Sequence, residues 1–234
     1  LVDGDLKLGA IGTVTYVDGK QMVAFGHPFL KHGSANYFMH NANIFTVVKS
    51  YESAFKLGSM GREIGTVTED RGAGIAGVSG TISSGIPVRF HLKDIDMGRD
   101  KQSNVKVIED KDMTPTLAAT ALYNMLNKTL DRSGAGTAKI TYTITPRNGE
   151  QKSLTRTNMF YSSESISEKT VDEFYNVIDV LMNNRFINYE IADINVETEV
   201  TQDKKTAKLV DAAASSTVVS PGDTIVVDVT LEPY

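Results

Sequence analysis

Four histidines occur in 234 residues, and three of them, His27, His32 and His40, fall within one short stretch. Imidazole gains and loses its proton near neutral pH, so such a group can serve acid–base chemistry or ligate a metal. Zinc asks for three or four ligands on a preformed frame, and spacings of five and eight residues match no familiar zinc motif. No metal site is assigned, and His32 and His40 read as surface-loop residues among Lys31, Asn36, Asn41 and Asn43. His27 differs: it directly follows an apolar run and lies between glycine and proline in Ala24-Phe25-Gly26-His27-Pro28-Phe29. Glycine permits close backbone approach, proline stiffens the exit, and an imidazole fixed at a strand end can act as a general base. A purely structural histidine is the competing assignment.

Partners for that base are harder to find. The chain has no cysteine, which excludes disulfides, thiolate ligands and thiol nucleophiles. Ser79 sits among glycines in Gly77-Val78-Ser79-Gly80, but Thr81 breaks the nucleophile-elbow spacing, so Ser79 reads as a turn residue. Asp70 stands beside Arg71; a carboxylate can orient an imidazole, yet an Asp-Arg pair at a turn reads more simply as an exposed ion pair. Neither a phosphate-binding loop nor a dinucleotide fingerprint is present, so no cofactor is expected.

The elements that would position these groups begin with a hairpin. Ile11, Val14 and Tyr16, then Asp18-Gly19, then Met22, Val23 and Phe25 read as two short strands joined at an Asp-Gly turn. Glycine recurs from Gly58 to Gly85 between short apolar runs, which predicts a β-barrel or sandwich. Lys93 to Asp112 is strongly charged and reads as a domain boundary. Thr114-Pro115 supplies an N-cap and a first-turn proline, and Ala118, Ala121, Leu122, Met125 and Leu126 place a helix at about 115–131. Ala138, Ile140, Tyr142 and Ile144 alternate as a strand. A second helix is expected from a capping box at Thr170 and Glu173 to about Asn184, followed by a strand through Ile194, Val196 and Val200. The echo of Ala121-Leu122-Tyr123-Asn124 in Glu173-Phe174-Tyr175-Asn176 fits either a degenerate repeat or simple helix-strand alternation. Gln202-Asp203-Lys204-Lys205 reads as a hairpin turn, Ser220-Pro221-Gly222-Asp223 as a turn before a last strand from Thr224 to Leu231, and the final fifty residues as antiparallel β.

Two blocks carry a family resemblance. Gly12-Thr13-Val14-Thr15-Tyr16 through Ala24-Phe25-Gly26-His27-Pro28 resembles the signature around the catalytic histidine of the sporulation IV B type of serine peptidase. Ile64-Gly65-Thr66-Val67-Thr68-Glu69-Asp70-Arg71, followed by Gly74-Ile75-Ala76-Gly77, resembles a later block of the same family. The resemblance covers roughly residues 8–92. It implies a chymotrypsin-like β-barrel, peptide-bond hydrolysis and the general-base role for His27. The family's Met-Ser-Gly-Ser-Pro type of segment is missing, so the nucleophile would come from outside these residues; in some envelope relatives that segment precedes the histidine block. Asp70 does not match the family's acid.

The architecture expected is mainly β with α+β: a chymotrypsin-like β-barrel-type domain over 1–92, a two-helix α+β unit over 93–188, and an antiparallel β segment over 189–234 that packs with it. With 41% apolar and 23% charged residues the chain has the composition of a folded globular protein. A net charge of -5 and scattered basic residues argue against nucleic acid as a partner. No run is apolar enough to span a bilayer as a helix. The chain opens at Leu1 without methionine and stops at Tyr234 within a strand-like pattern, so a fragment is expected, and its source is placed in the bacterial envelope or outside the cell. Two functions follow: a fragment of a serine peptidase, inactive by itself and acting on proteins or peptides, or a non-catalytic binding or assembly module on a degenerate peptidase fold.

Overall fold

The computed structural model describes residues 1–149 and 151–234. Along the chain run β1 (Val2–Gly4), β2 (Val14–Asp18), β3 (Gln21–Ala24), β4 (Gly33–Val48), β5 (Phe55–Arg71), β6 (Gly74–Ser79), β7 (Gly85–Asp94) and β8 (Arg99–Ile108). Then follow α1 (Thr114–Leu130), β9 (Gly136–Pro146), β10 (Leu154–Ser162), α2 (Ile166–Asn183), β11 (Ile191–Thr201), β12 (Ala207–Ala214) and β13 (Val227–Pro233).

Local pairing builds the first sheet. The expected hairpin is β2–β3, with Asp18 opposite Gln21 and Gly19 in the left-handed region that its tight turn demands. Longer antiparallel pairs β4–β5 and β5–β6 complete a five-stranded sheet in the order β2-β3-β6-β5-β4. Its outer strands do not meet, and among the described residues no sheet closes on itself. The fold is therefore mainly β with two helices, but the chymotrypsin-like barrel expected for the first domain is absent. Short hairpins separated by glycine turns satisfy their own backbone locally, and that pattern serves an open sheet as well as a closed one.

The second sheet has the order β1-β8-β7-β11-β9-β10, with β7 and β11 parallel and the other neighbours antiparallel. Strict alternation explains its two faces. Ile86, Val88, Phe90 and Leu92 of β7, Ile140, Tyr142 and Ile144 of β9, and Ile194 and Val196 of β11 are buried. They pack in one core with Ala118, Leu122 and Met125 of α1 and Phe174 and Ile178 of α2. Each large apolar side chain taken out of water contributes about 1.5–3 kcal/mol. Arg89, His91, Lys93 and Glu197 occupy the alternate positions and form a polar outer face.

Several boundaries differ from the sequence expectation. The one drawn at Leu92 falls inside β7, a central strand of the six-stranded sheet. The charged stretch read as a domain boundary contains β8, whose Val105, Val107 and Ile108 are buried while Lys106 is half-buried between them. Thr114 lies inside α1 without capping it: its hydroxyl donates to Ile108 O, and Asp110 organises the turn by accepting from Asp112 N and Met113 N. Helix α2 starts a turn earlier than expected because Ser165 and Glu168 offer the same spacing, and Ser165 accepts from Glu168 N. Gln202 to Lys205 is no hairpin turn but a crossing to the exposed ribbon β12–β13. The last fifty residues are also not wholly antiparallel, since β11 pairs in parallel with β7.

The two main sheets share one core, in which Tyr37, Phe38, Met39 and Val67 join Val2, Val105 and Val107. Lys106 Nζ stands 4.4 Å from the centre of the Phe38 ring and 2.9 Å from Glu63 Oε2. Among the described residues no helix is long and apolar enough to cross a membrane.

Candidate functional site

His27 lies in the connection from β3 to β4, and the chain around it is held by unusual means. Phe25 and Gly26 both have φ near 73°, and Lys31 has φ of 63°. For residues other than glycine the left-handed region costs about 1–2 kcal/mol each, so the surroundings must impose it. Phe25 is pinned through its N–H, which donates to Thr13 O at 2.9 Å, and through its ring, which lies over Gly12. A methyl group at Gly12 would fall 1.6 Å from that ring, so only glycine fits. The consecutive left-handed residues reverse the chain and deliver His27 to the surface.

Asp70 fastens the far side of this loop. It is 0% exposed, and its carboxylate accepts from Phe29 N at 2.8 Å, Leu30 N at 2.7 Å and Lys31 N at 3.0 Å. The expected exposed ion pair with Arg71 does not form. Alternation along β5 sends neighbouring side chains to opposite faces, so Arg71 turns outward and donates to Glu69 Oε2 at 2.7 Å. Charge-assisted hydrogen bonds to backbone N–H groups are about twice as strong as neutral ones. Asp70 is thus the main fastener of the histidine loop.

The His27 ring has Nδ1 2.7 Å from Pro28 O. A carbonyl oxygen can only accept, so Nδ1 carries the hydrogen, and in the neutral ring Nε2 is left with its lone pair free. Phe25 supports the ring with 5.5 Å between centroids. This tautomer is the one a general base needs, although a carbonyl stabilises the protonated ring less than a carboxylate would. Among the described residues His27 makes no other hydrogen bond. Ser79 ends β6, where its hydroxyl donates to Lys20 O at 3.2 Å. No protein-family model, curated protein or solved structure matches the chain.

The three clustered histidines do not converge. His40 is not a loop residue: it lies in β4, its side chain is only 6% exposed, and it packs edge-on near Phe38. Its Nε2 is 3.1 Å from Asp3 Oδ2, close enough for attraction but out of line for a hydrogen bond. His32 stays at the surface, with Nδ1 3.1 Å from Asp110 Oδ2. His32, Asp110 and Asp112 bring potential ligand atoms within 4.8 Å of one another. Asp110 Oδ1 is already committed to the turn before α1.

Beneath the loop a cavity of about 480 Å³ opens between the segment 9–14 and the five-stranded sheet. Phe25, Phe29, Met22, Met39, Met60 and Ile75 line it, together with Tyr37 and His40. Burial, aided by the charges of Asp110 and Asp70, pushes the Tyr37 hydroxyl up to about 12. Sequence reasoning missed the fastening role of Asp70, the part played by Gly12, and this cavity. Both residues lie inside the motif blocks, but their roles depend on partners many residues away.

Proposed function

We propose that this chain carries the general-base half of a peptide-hydrolysing site, with His27 as the base and the serine supplied from outside the 234 residues. The observation that carries this reading is the His27 loop, where left-handed backbone and a buried carboxylate hold an exposed imidazole with Nε2 free. Strained backbone persists only where its surroundings over-determine it, and it clusters at functional sites. In the reaction Nε2 would take the serine proton as oxygen attacks the peptide carbonyl, and the imidazolium would return that proton to the departing amine. The resemblance of residues 8–92 to the sporulation IV B type of peptidase supports the same role, and it alone supports a setting in the bacterial envelope.

The second reading is a non-catalytic binding or assembly module. It is favoured by the fate of the two groups that could have formed a dyad: Asp70 is committed to backbone N–H groups and His27 Nδ1 to a carbonyl. Labelling of the protein in its natural context with a fluorophosphonate separates the readings. A serine that labels in wild type and not in His27→Ala is the expected result for the peptidase; a folded protein that never labels would sink that reading in favour of the module.

A further inference from the structure

The cavity under residues 9–14 explains groups that neither the fold nor the His27 chemistry uses. Its volume of about 480 Å³ lies within the range of about 300–1,000 Å³ found for ligand pockets, which are mostly apolar with a few convergent polar groups. Two such polar groups are present, since Tyr37, 4% exposed, and His40 both line the space; His40 Nε2 faces Asp3 Oδ2 at 3.1 Å, whereas Tyr37 Oη has no hydrogen-bond partner among the described residues. Buried polar atoms are nearly always satisfied, so Tyr37 Oη points to something that completes it. Phe25 and Phe29 line the cavity, and Phe25 also borders His27: its ring lies 5.5 Å from the His27 ring and 6.1 Å from that of Phe29. Three of the walls are methionines, Met22, Met39 and Met60, whose flexible thioethers adapt to different apolar shapes.

We propose that this cavity receives a bulky apolar side chain, such as phenylalanine, leucine or methionine, of the peptide presented to His27, with Tyr37 Oη meeting a polar group of that peptide. This inference rests on the peptide reading of His27. The apolar body fills the methionine and aromatic walls. A peptide carbonyl or N–H then supplies the partner that Tyr37 lacks.

The test is an NMR titration of the 234-residue chain with N-acetylphenylalaninamide, using N-acetylglycinamide as the comparison. Saturable binding of the first, at least about tenfold tighter than the second, is expected, a difference equivalent to about 1.4 kcal/mol. Met60→Trp should occlude the cavity and weaken the first probe by about tenfold or more, with its thermal transition showing that the variant still folds. Tyr37→Phe keeps the wall but removes the orphan hydroxyl, so binding should weaken about three- to tenfold while the unfolding midpoint stays or rises. Equal binding of the two probes, unchanged binding in a folded Met60→Trp, or undiminished binding in Tyr37→Phe would each overturn the pocket. Fluorophosphonate labelling without probe binding sinks the pocket and spares the role of His27. Probe binding without labelling does the reverse.

Discussion

Replacing Asp70 should unfasten the histidine loop, and the size of the effect can be worked from three hydrogen bonds. Phe29 N, Leu30 N and Lys31 N all donate to its carboxylate, and bonds to a charged acceptor contribute about 1.5–3 kcal/mol each. Taken together they approach the stability of a whole domain, about 5–15 kcal/mol, so the full loss will not appear. The three N–H groups are only partly buried, and a loop that lifts can give them water. Asp70→Ala should therefore cost about 3–5 kcal/mol, the range seen when one partner of a buried charged interaction is removed. Asp70→Asn should cost less, because its one remaining oxygen can still serve Leu30 and Lys31 while its amide nitrogen opposes Phe29 N. Urea unfolding gives the total, and amide exchange at residues 29–31 shows whether the loss is local. Arg71→Ala is the control: its partner Glu69 and its own side chain are solvent-exposed, so the change should stay within about 0.5 kcal/mol. An Asp70→Asn protein with wild-type stability and wild-type protection at 29–31 would refute the assignment of Asp70 as the fastener.

Gly12→Ala should lower stability by about 1–3 kcal/mol, the usual cost of overpacking, because the new methyl collides with the Phe25 ring; a thermal midpoint equal to wild type would show that the ring does not lie there. Leu122→Ala, at a fully buried position on α1, should cost about 2–5 kcal/mol in urea unfolding, and a loss under 1 kcal/mol would mean the helix does not cover the sheet. Glu173 gives a pH dependence. The hydrogen bond from Arg156 leads the groups that hold its carboxyl below the ordinary 4.5, aided by Asn158 and Tyr142 and opposed by burial. A depressed folded value means stability that is present above the unfolded pKa and lost as pH falls through the folded one. Unfolding free energy should therefore decline below about pH 4.5 in wild type, and that decline should be shallower in Glu173→Gln; parallel profiles would contradict it.

Elements with a strong period were legible in the sequence. The buried stripe of α1 and the alternation of β9 are local patterns, and the structure places both close to where they were expected. The β2–β3 hairpin was equally readable from Asp18-Gly19. What could not be read is how separate segments combine. Whether the glycine-punctuated strands curl shut or stay open depends on their outer edges, and edges leave no local mark. Strand β8 was obscured because most of its residues are charged or polar, so composition suggested a domain boundary where the alternation of Val105 and Val107 made a strand. At the site, His27 stood out because glycine and proline flank it. Asp70 did not, because its three donors lie some forty residues earlier in the chain and its neighbour Arg71 offered an easier explanation. His40 was misplaced for a related reason: a polar stretch looked like a loop, while in space it is a strand lying against Asp3.

The parallel pairing of β7 with β11 sets an order of events during synthesis. Val88 aligns with Ile194, and Val2 aligns with Val107, contacts that span roughly a hundred residues and so impose slow closure. The hairpins of the five-stranded sheet can form as soon as they leave the ribosome or a secretion channel. Strand β7 can pair with β8 and pack against α1 early, but its other edge stays unpaired until β11 is delivered. A nascent chain paused in that interval would present an unpaired strand edge prone to aggregation, and a holding chaperone would be of most use between the emergence of residue 130 and that of residue 201.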